Sequence, residues 1–260
     1  MIAPSAAQQL ALHLRRQTLE QDANGYTVWK VRTETRTVAA AQAALVLCDV
    51  WDAHTCRGAV ERLERLLPRM NQVVEALRQR GVLIVHAPSD TMPFYAGTAA
   101  RERVLAVPAV EPPPNREHAD PPLPVDQTDP CDTVPDEQYP KYERGMPYPW
   151  TRQHPAIRID QERDVISADG RELWSYYQHR GIERVLIMGV HTGMCILNRS
   201  FAIKQMVRWG MPIVLIRDLT DAMYNPARPP YVSHEAGTRL VVEYIEKHWC
   251  GTVESGDLLS

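Results

Sequence analysis

Four short apolar runs constrain the fold of this chain more than any other feature, because none of them alternates. Ala44 to Cys48, Val82 to Val85, Val185 to Met188 and Pro212 to Ile216 are rich in Val, Ile and Leu, each bounded by polar or turn-forming residues. A strand with one wet face alternates, whereas a continuous run marks a strand covered on both faces, as in parallel sheets. Segments of helical period lie between the runs. Gly58 to Gln79 sets Leu63, Leu66, Leu67, Met70, Val73, Val74 and Leu77 on one broad face and stops at Gly81. Gly170 to Arg180 stops at Gly181, Leu197 to Trp209 stops at Gly210, and Glu235 to His248 closes the series. Strand, helix, glycine, strand predicts right-handed βαβ units, and so an α/β fold with a doubly wound parallel sheet flanked by helices on both faces.

At 260 residues the chain is read as one domain, 1–260, with two departures from the pattern. Residues 1–40 carry a short amphipathic stretch and then the β-prone Tyr26 to Val38, an arm expected to pack on the core or on a neighbouring subunit. Residues 108–155 hold thirteen of the 21 prolines and no apolar period. A long irregular insertion of this kind serves as a lid, binding loop or interface, or else is a disordered excursion. The net charge of -3 and the lack of Lys/Arg runs argue against nucleic acid and anionic membranes and leave a small molecule as the default partner. The opening MIAPSAAQQLALHL has no basic n-region or cleavage site, and no apolar run is long enough to span a bilayer. Cys48, Cys56, Cys131, Cys195 and Cys250 are odd in number, widely spaced and without a C-x-x-C pair, which predicts reduced thiols and a cytoplasmic location.

Ligands of doubly wound sheets bind outside the carboxyl ends of the strands. The four runs are followed there by Asp49, by His86, by Gly189-Val190-His191-Thr192-Gly193-Met194-Cys195 and by Arg217-Asp218. The third places a thiol where a helix begins, a position whose unsatisfied N–H groups favour a thiolate and can receive an oxyanion. The plain alternatives are a buried, inert Cys195 and an Asp49 that merely caps a turn. Trp51, Phe94, Tyr95 and Trp150 are candidates for pocket walls or core, and Tyr224 with Asn225 for the rim. His234 reads as a helix cap or packing residue, and Asp218 and Asp221 as turn formers.

ALVLCDVWD followed by RVLIMGVHTGMCILNRSFA, with RDLTDA one helix later, resembles the isochorismatase-like cysteine hydrolases, which include nicotinamidases and other small-amide hydrolases. The resemblance runs from about Ala44 to Trp249, interrupted by the insertion. It implies Cys195 as nucleophile, Asp49 as general base, a cis peptide at Val190-His191, and backbone N–H groups of Val190, His191, Met194 and Cys195 as the oxyanion site. His86, His191 and Thr192 join Trp51, Phe94, Tyr95, Trp150 and Tyr224 as substrate-binding candidates. The family's catalytic Lys is missing: AIRIDQERDVISADG, where it belongs, has no lysine. Arg163 is the first candidate to replace it, with Arg152, Arg158 and Lys141 as alternatives; arginine supplies the charge but keeps its proton. The Asp-x-His of metal-binding nicotinamidases is absent from HAPSDTMPFYAG after the second run. No cofactor is therefore expected, although Asp52, His54, Cys56, His86 and His191 are metal-competent.

The function expected is hydrolysis of a non-peptide C–N bond in a small amide or carbamate-like molecule through a covalent thioester-type intermediate. The rivals are hydrolysis of a vinyl ether, as in isochorismatase, and a non-catalytic binding or scaffold protein that lost the Lys. Chains with this resemblance often form homo-oligomers, dimers or tetramers, and the arm is the element placed to make the contact.

Overall fold

The computed structural model describes residues 8–143 and 145–259. Residues 1–7, at the start of the expected arm, lie outside them. The strands are β1 (Gln9–Gln21), β2 (Thr27–Ala39), β3 (Ala43–Cys48), β4 (Leu83–Ala87), β5 (Val165–Ile166), β6 (Arg184–Val190), β7 (Ile213–Asp221) and β8 (Gly251–Val253). The helices are α1 (Arg57–Gln79), α2 (Ala99–Leu105), α3 (Gly170–Arg180), α4 (Cys195–Asn198), α5 (Ile203–Trp209) and α6 (His234–His248).

All strands join one sheet in the order β2-β1-β8-β7-β6-β3-β4-β5. From β8 to β5 every pairing is parallel. The parallel expectation holds for these strands, and the arm, for which no strand direction was expected, adds two antiparallel ones. β1 and β2 form a long antiparallel hairpin, and β1 continues the sheet antiparallel to β8 through Arg15 and Thr252. Period-two burial of Leu10, Leu12 and Leu14, with the exposed Ala11 and His13 between, is the signature of a strand with one wet face, so the amphipathic start of the arm is β1.

The core explains why the central runs do not alternate. In β3, Ala44, Val46 and Cys48 face the layer that holds α3, α5 and α6, while Ala43, Leu45 and Leu47 face α1 and the leucines of β1. Both faces are dry, so every position is apolar. Met70, Val73, Val74 and Leu77 of α1, all 0% exposed, contribute roughly 1.5–3 kcal/mol each by burial.

From β3 the chain steps to β4 and β5 on one side, then crosses over to β6, β7 and β8 on the other. The crevice between β3 and β6 is therefore the topological switch point of the sheet. Their carboxyl ends lie level, Cys48 opposite Gly189. Gly189 has φ +120°, and a Cβ there would stand 2.0 Å from the Cys48 carbonyl oxygen, so only glycine lets the two strand ends meet.

Two expectations need correction. The helix expected over Leu197 to Trp209 is broken: α4 ends at Asn198 and α5 starts at Ile203, with Arg199 in extended backbone between them. The five cysteines are not all free either. Cys56 at the start of α1 is joined to Cys131 in a disulfide that spans 75 residues, leaving Cys48, Cys195 and Cys250 as free thiols. Spacing along the chain gave no sign of a pair brought together only by tertiary structure, and cysteine number carries no argument for a reducing compartment. The described residues of the Pro-rich stretch 108–155 form no helix or strand, as expected, apart from a bridge between Gln153 and Trp51. Hydrogen bonds from Tyr244 to Asp120 and Pro121, the Arg62–Asp132 pair and the disulfide tie it down across the molecule.

Candidate active site

Asp49 follows β3 and turns there with φ +50°, a left-handed conformation that aspartate tolerates better than most residues. Its carboxylate is 0% exposed. One oxygen accepts the Ser89 N–H at 2.7 Å; the other accepts the Arg199 Nε–H at 2.9 Å. The Cys195 thiol, at the start of α4, lies beside the same carboxylate, near enough that each shifts the other's hold on its proton. Cys195 and Arg199 stand four residues apart, and the Arg199 N–H donates to the Cys195 carbonyl at 3.1 Å, closing one helical turn. That turn brings both side chains to one carboxylate. The Arg199 guanidinium also holds Asp90 at 3.1 Å and lies 5.9 Å from the Trp51 ring centroid.

Electrostatics keep the thiol proton on sulfur. Burial and the neighbouring Asp49 push the Cys195 thiol up to about 12, against the pull of Arg199 and the His191 backbone N–H. Burial also raises Asp49, opposed by Arg199 and by the hydrogen bonds from Cys195 and Ser89. These surroundings disfavour the thiolate that a helix start would favour, for a physical reason: the thiol is buried beside a carboxylate, and α4 is a single turn, too short for a strong dipole.

Arg163 is not at this site. It is exposed and paired with Asp160 at 2.6 Å. Arg152 sits near Asp52 and over the Phe94 ring, and the Arg158 carbonyl accepts from Arg78. Lys141 lines a cavity formed by the insertion. The cation that touches Asp49 is Arg199, which sequence reading missed; its i, i+4 spacing from Cys195 was the available signal.

The aromatic candidates divide. Trp51 is buried, donates its Nε1–H to the Ser89 carbonyl, and stacks on Trp150 at 4.1 Å. Phe94 is exposed, and the Tyr95 hydroxyl accepts the Gln153 N–H in a small separate core. Tyr224 is fully buried, its hydroxyl donating to the Arg228 carbonyl, so it is packing rather than rim; the Asn225 amide donates to the Cys131 carbonyl. Thr192 pairs its hydroxyl with Thr220 at 2.7 Å and anchors the turn to β7. The Val190-His191 peptide is cis. The Met194 N–H is spent on the His191 carbonyl at 3.0 Å. His191 is buried, with no partner among the described residues for either ring nitrogen; burial and the adjacent His54 lower it to about 3, so it is neutral. It shares a narrow cleft with Asp49, Trp51 and His54.

His86 belongs elsewhere. Its ring meets Gln153 at 2.8 Å and Asp164 at 3.0 Å, inside a buried network that also holds Arg78. Outside the site, Asp218 accepts from Ser255, and His234, the first residue of α6 after the Ser233 cap, bridges Asp221 and the Tyr224 carbonyl. The metal-competent residues do not converge. Asp52 accepts from Thr151 and Arg152, His54 Nδ1 accepts the Cys56 N–H, and His86 is engaged on both nitrogens. Among the described residues the one cluster of three donors is Cys56, Cys131 and Asp132. Its sulfurs are joined to each other and its carboxylate is held by Arg62, a poor cradle for a cation.

The fold has known counterparts. A cysteine hydrolase from Pseudomonas syringae pv. phaseolicola 1448A superposes with a TM-score of 0.52 at 13% identity, covering 85% of this chain and 92% of that one. An isochorismatase family protein from Burkholderia thailandensis gives 0.47 at 16% identity, over 84% of this chain and 96% of that one. A pyrazinamidase of Pyrococcus horikoshii in complex with zinc gives 0.45 at 17%, over 82% and 99%. Among curated proteins, none matches the sequence at a meaningful level. The Isochorismatase domain profile matches residues 43–229, from β3 through the turn after β7, a span that takes in Asp49, Cys195 and Arg199; the chain belongs to the isochorismatase family.

Proposed function

We propose that the chain is a cysteine hydrolase that cleaves a non-peptide C–N bond in an amide or carbamate-like molecule. The observation that carries this reading is a single buried carboxylate, Asp49, paired with the Arg199 guanidinium at 2.9 Å and neighbouring the Cys195 thiol. As Cys195 Sγ attacks the substrate carbonyl, its proton passes to Asp49, so no free thiolate is needed beforehand. The tetrahedral oxyanion takes the Cys195 N–H, which as a first-turn donor has no intrahelical acceptor. Collapse expels the amine, which receives the proton from Asp49, and leaves a thioester on Cys195. Water then attacks the thioester, gives its proton to Asp49 and releases the acid; the departing sulfur recovers that proton. Arg199 keeps its own proton throughout and balances the charge that alternates between Asp49 and the substrate. Trp51 and the neutral His191 frame the approach to Asp49. Vinyl ether hydrolysis would leave Cys195 without a role, and the thiol-to-carboxylate contact favours the amide route.

The test is rapid mixing of the protein with a panel of primary amides, followed by intact-protein mass spectrometry and ammonia detection. A mass increase equal to the acyl group, mapped to Cys195 and absent in Cys195→Ala, is the expected result. Ammonia release by Cys195→Ala at the wild-type rate would overturn the covalent mechanism.

A further inference from the structure

The insertion builds a second cavity against the site. It encloses about 930 Å³, at the upper end of the roughly 300–1,000 Å³ typical of small-molecule pockets. Met194, which precedes the nucleophile, and His54, which also lines the cleft beside Asp49, both line it, and most of the remaining wall comes from residues 128–150. Rings leading away from the site line one side. Trp150, stacked on Trp51, is followed by Tyr148 at 4.3 Å and Tyr142 at 5.7 Å, with planes within 12° and 15° of parallel. The Trp150 indole N–H is shielded from solvent and has no acceptor among the described residues.

The charges are uneven. Asp129 is held by Arg228 at 3.1 Å and Asp132 by Arg62 at 2.7 Å. Lys141, next to the outermost ring Tyr142, makes no ion pair among the described residues. A simple ring amide needs neither so large a cavity nor a cation at its far end.

We propose that the substrate is an extended amide: an aromatic or apolar acyl body that runs along the Trp150–Tyr148–Tyr142 wall, with an anionic group at its outer end for Lys141. This rests on the hydrolase reading above and adds the class of acyl group. Elongated contact along fixed rings is bound without reorganisation, which favours long planar acyl groups over short ones.

The test compares 4′-carbamoylbiphenyl-4-carboxylate, 4′-methylbiphenyl-4-carboxamide and acetamide as substrates. Each is also tried as a protectant of Cys195 against iodoacetamide, which reads binding without turnover. Both biphenyl amides should exceed acetamide in kcat/KM by about 100-fold, and the carboxylate should exceed the methyl compound by about 2–5-fold, the range of an exposed ion pair. Lys141→Gln, an exposed position that does not threaten folding, should bring that last ratio to about one; Trp150→Ala should lower both biphenyl amides at least about 10-fold relative to acetamide. Equal kcat/KM for all three amides, or a carboxylate-to-methyl ratio untouched by Lys141→Gln, would overturn the proposal. If no amide is hydrolysed but the biphenyl carboxylate protects Cys195 in a Lys141-dependent way, the subsite stands and the hydrolase reading falls.

Discussion

Asp49 and Asp164 are two buried carboxylates in similar company, each beside an arginine and a third ionisable group, and they respond in opposite ways. Asp164 is gripped on both oxygens by Arg78, at 3.0 and 2.6 Å, and also receives His86 and the Asp160 N–H. Burial disfavours its charge, but these hydrogen bonds outweigh burial and hold its carboxyl down at about 2. Asp49 has one arginine nitrogen, one backbone N–H and a thiol that brings its own proton. Burial wins there, and the carboxyl rises. The difference is donor count: a carboxylate fully supplied with donors is a structural anion, and one short of donors is a base waiting for a proton.

The sharpest way to break the comparison is to exchange each carboxylate for its amide. Asp49→Asn should cut amide turnover by about 10²–10⁴-fold, since no other group accepts the thiol proton, while thermal unfolding shifts little. Asp164→Asn should do the reverse, costing about 3–5 kcal/mol of stability by stranding Arg78 in the interior and leaving turnover per folded molecule intact. Denaturant unfolding and steady-state kinetics on both variants decide the matter. Large activity loss in Asp164→Asn at unchanged stability would show that the roles are misassigned.

Arg199→Gln tests the weaker grip directly. It removes the charge but keeps a donor, and turnover should fall about 10²-fold, with alkylation of Cys195 shifted to higher pH because the cation that favours the thiolate is gone. Unchanged alkylation across pH would remove Arg199 from the site.

The smallest effects are in pH. Asp164, lowered in the folded state, contributes stability that is present above the unfolded carboxyl value of about 3.9 and is lost as pH falls through about 2. Asp49, raised in the folded state, contributes below its unfolded value and loses that contribution as pH rises through its raised folded value. In the proposed mechanism its ionised form is the base, so kcat/KM should fall tenfold per unit below the raised value, an acid limb lying above that of an ordinary aspartate. In Asp164→Asn the stability loss at low pH should vanish while the kinetic limb stays.

Much of this was legible along the chain. The β3 and β6 runs announced themselves because both faces are covered, and Asp49 and Cys195 stood at their carboxyl ends where such sheets bind ligands. Arg199 was passed over because the apolar pattern after Cys195 suggested an unbroken helix, in which Arg199 is one more surface arginine. The break after Asn198 turns it toward Asp49, and a local period does not report such a break. His86 misled for the opposite reason. It occupies a strand end as Asp49 does, yet Gln153 and Asp164, distant in sequence, take both of its ring nitrogens.

The sequence by itself determined the layered α/β sheet, its switch point and two of the three groups now assigned to the chemistry, because apolar periodicity and strand-end position are properties of neighbouring residues. Only the tertiary structure decided which arginine meets the base, that Cys56 and Cys131 are joined, and that the insertion builds a cavity beside Cys195. These depend on distances between segments up to 150 residues apart, such as Asp49 and Arg199. Local pattern carries no record of how far apart such segments lie once the chain has folded.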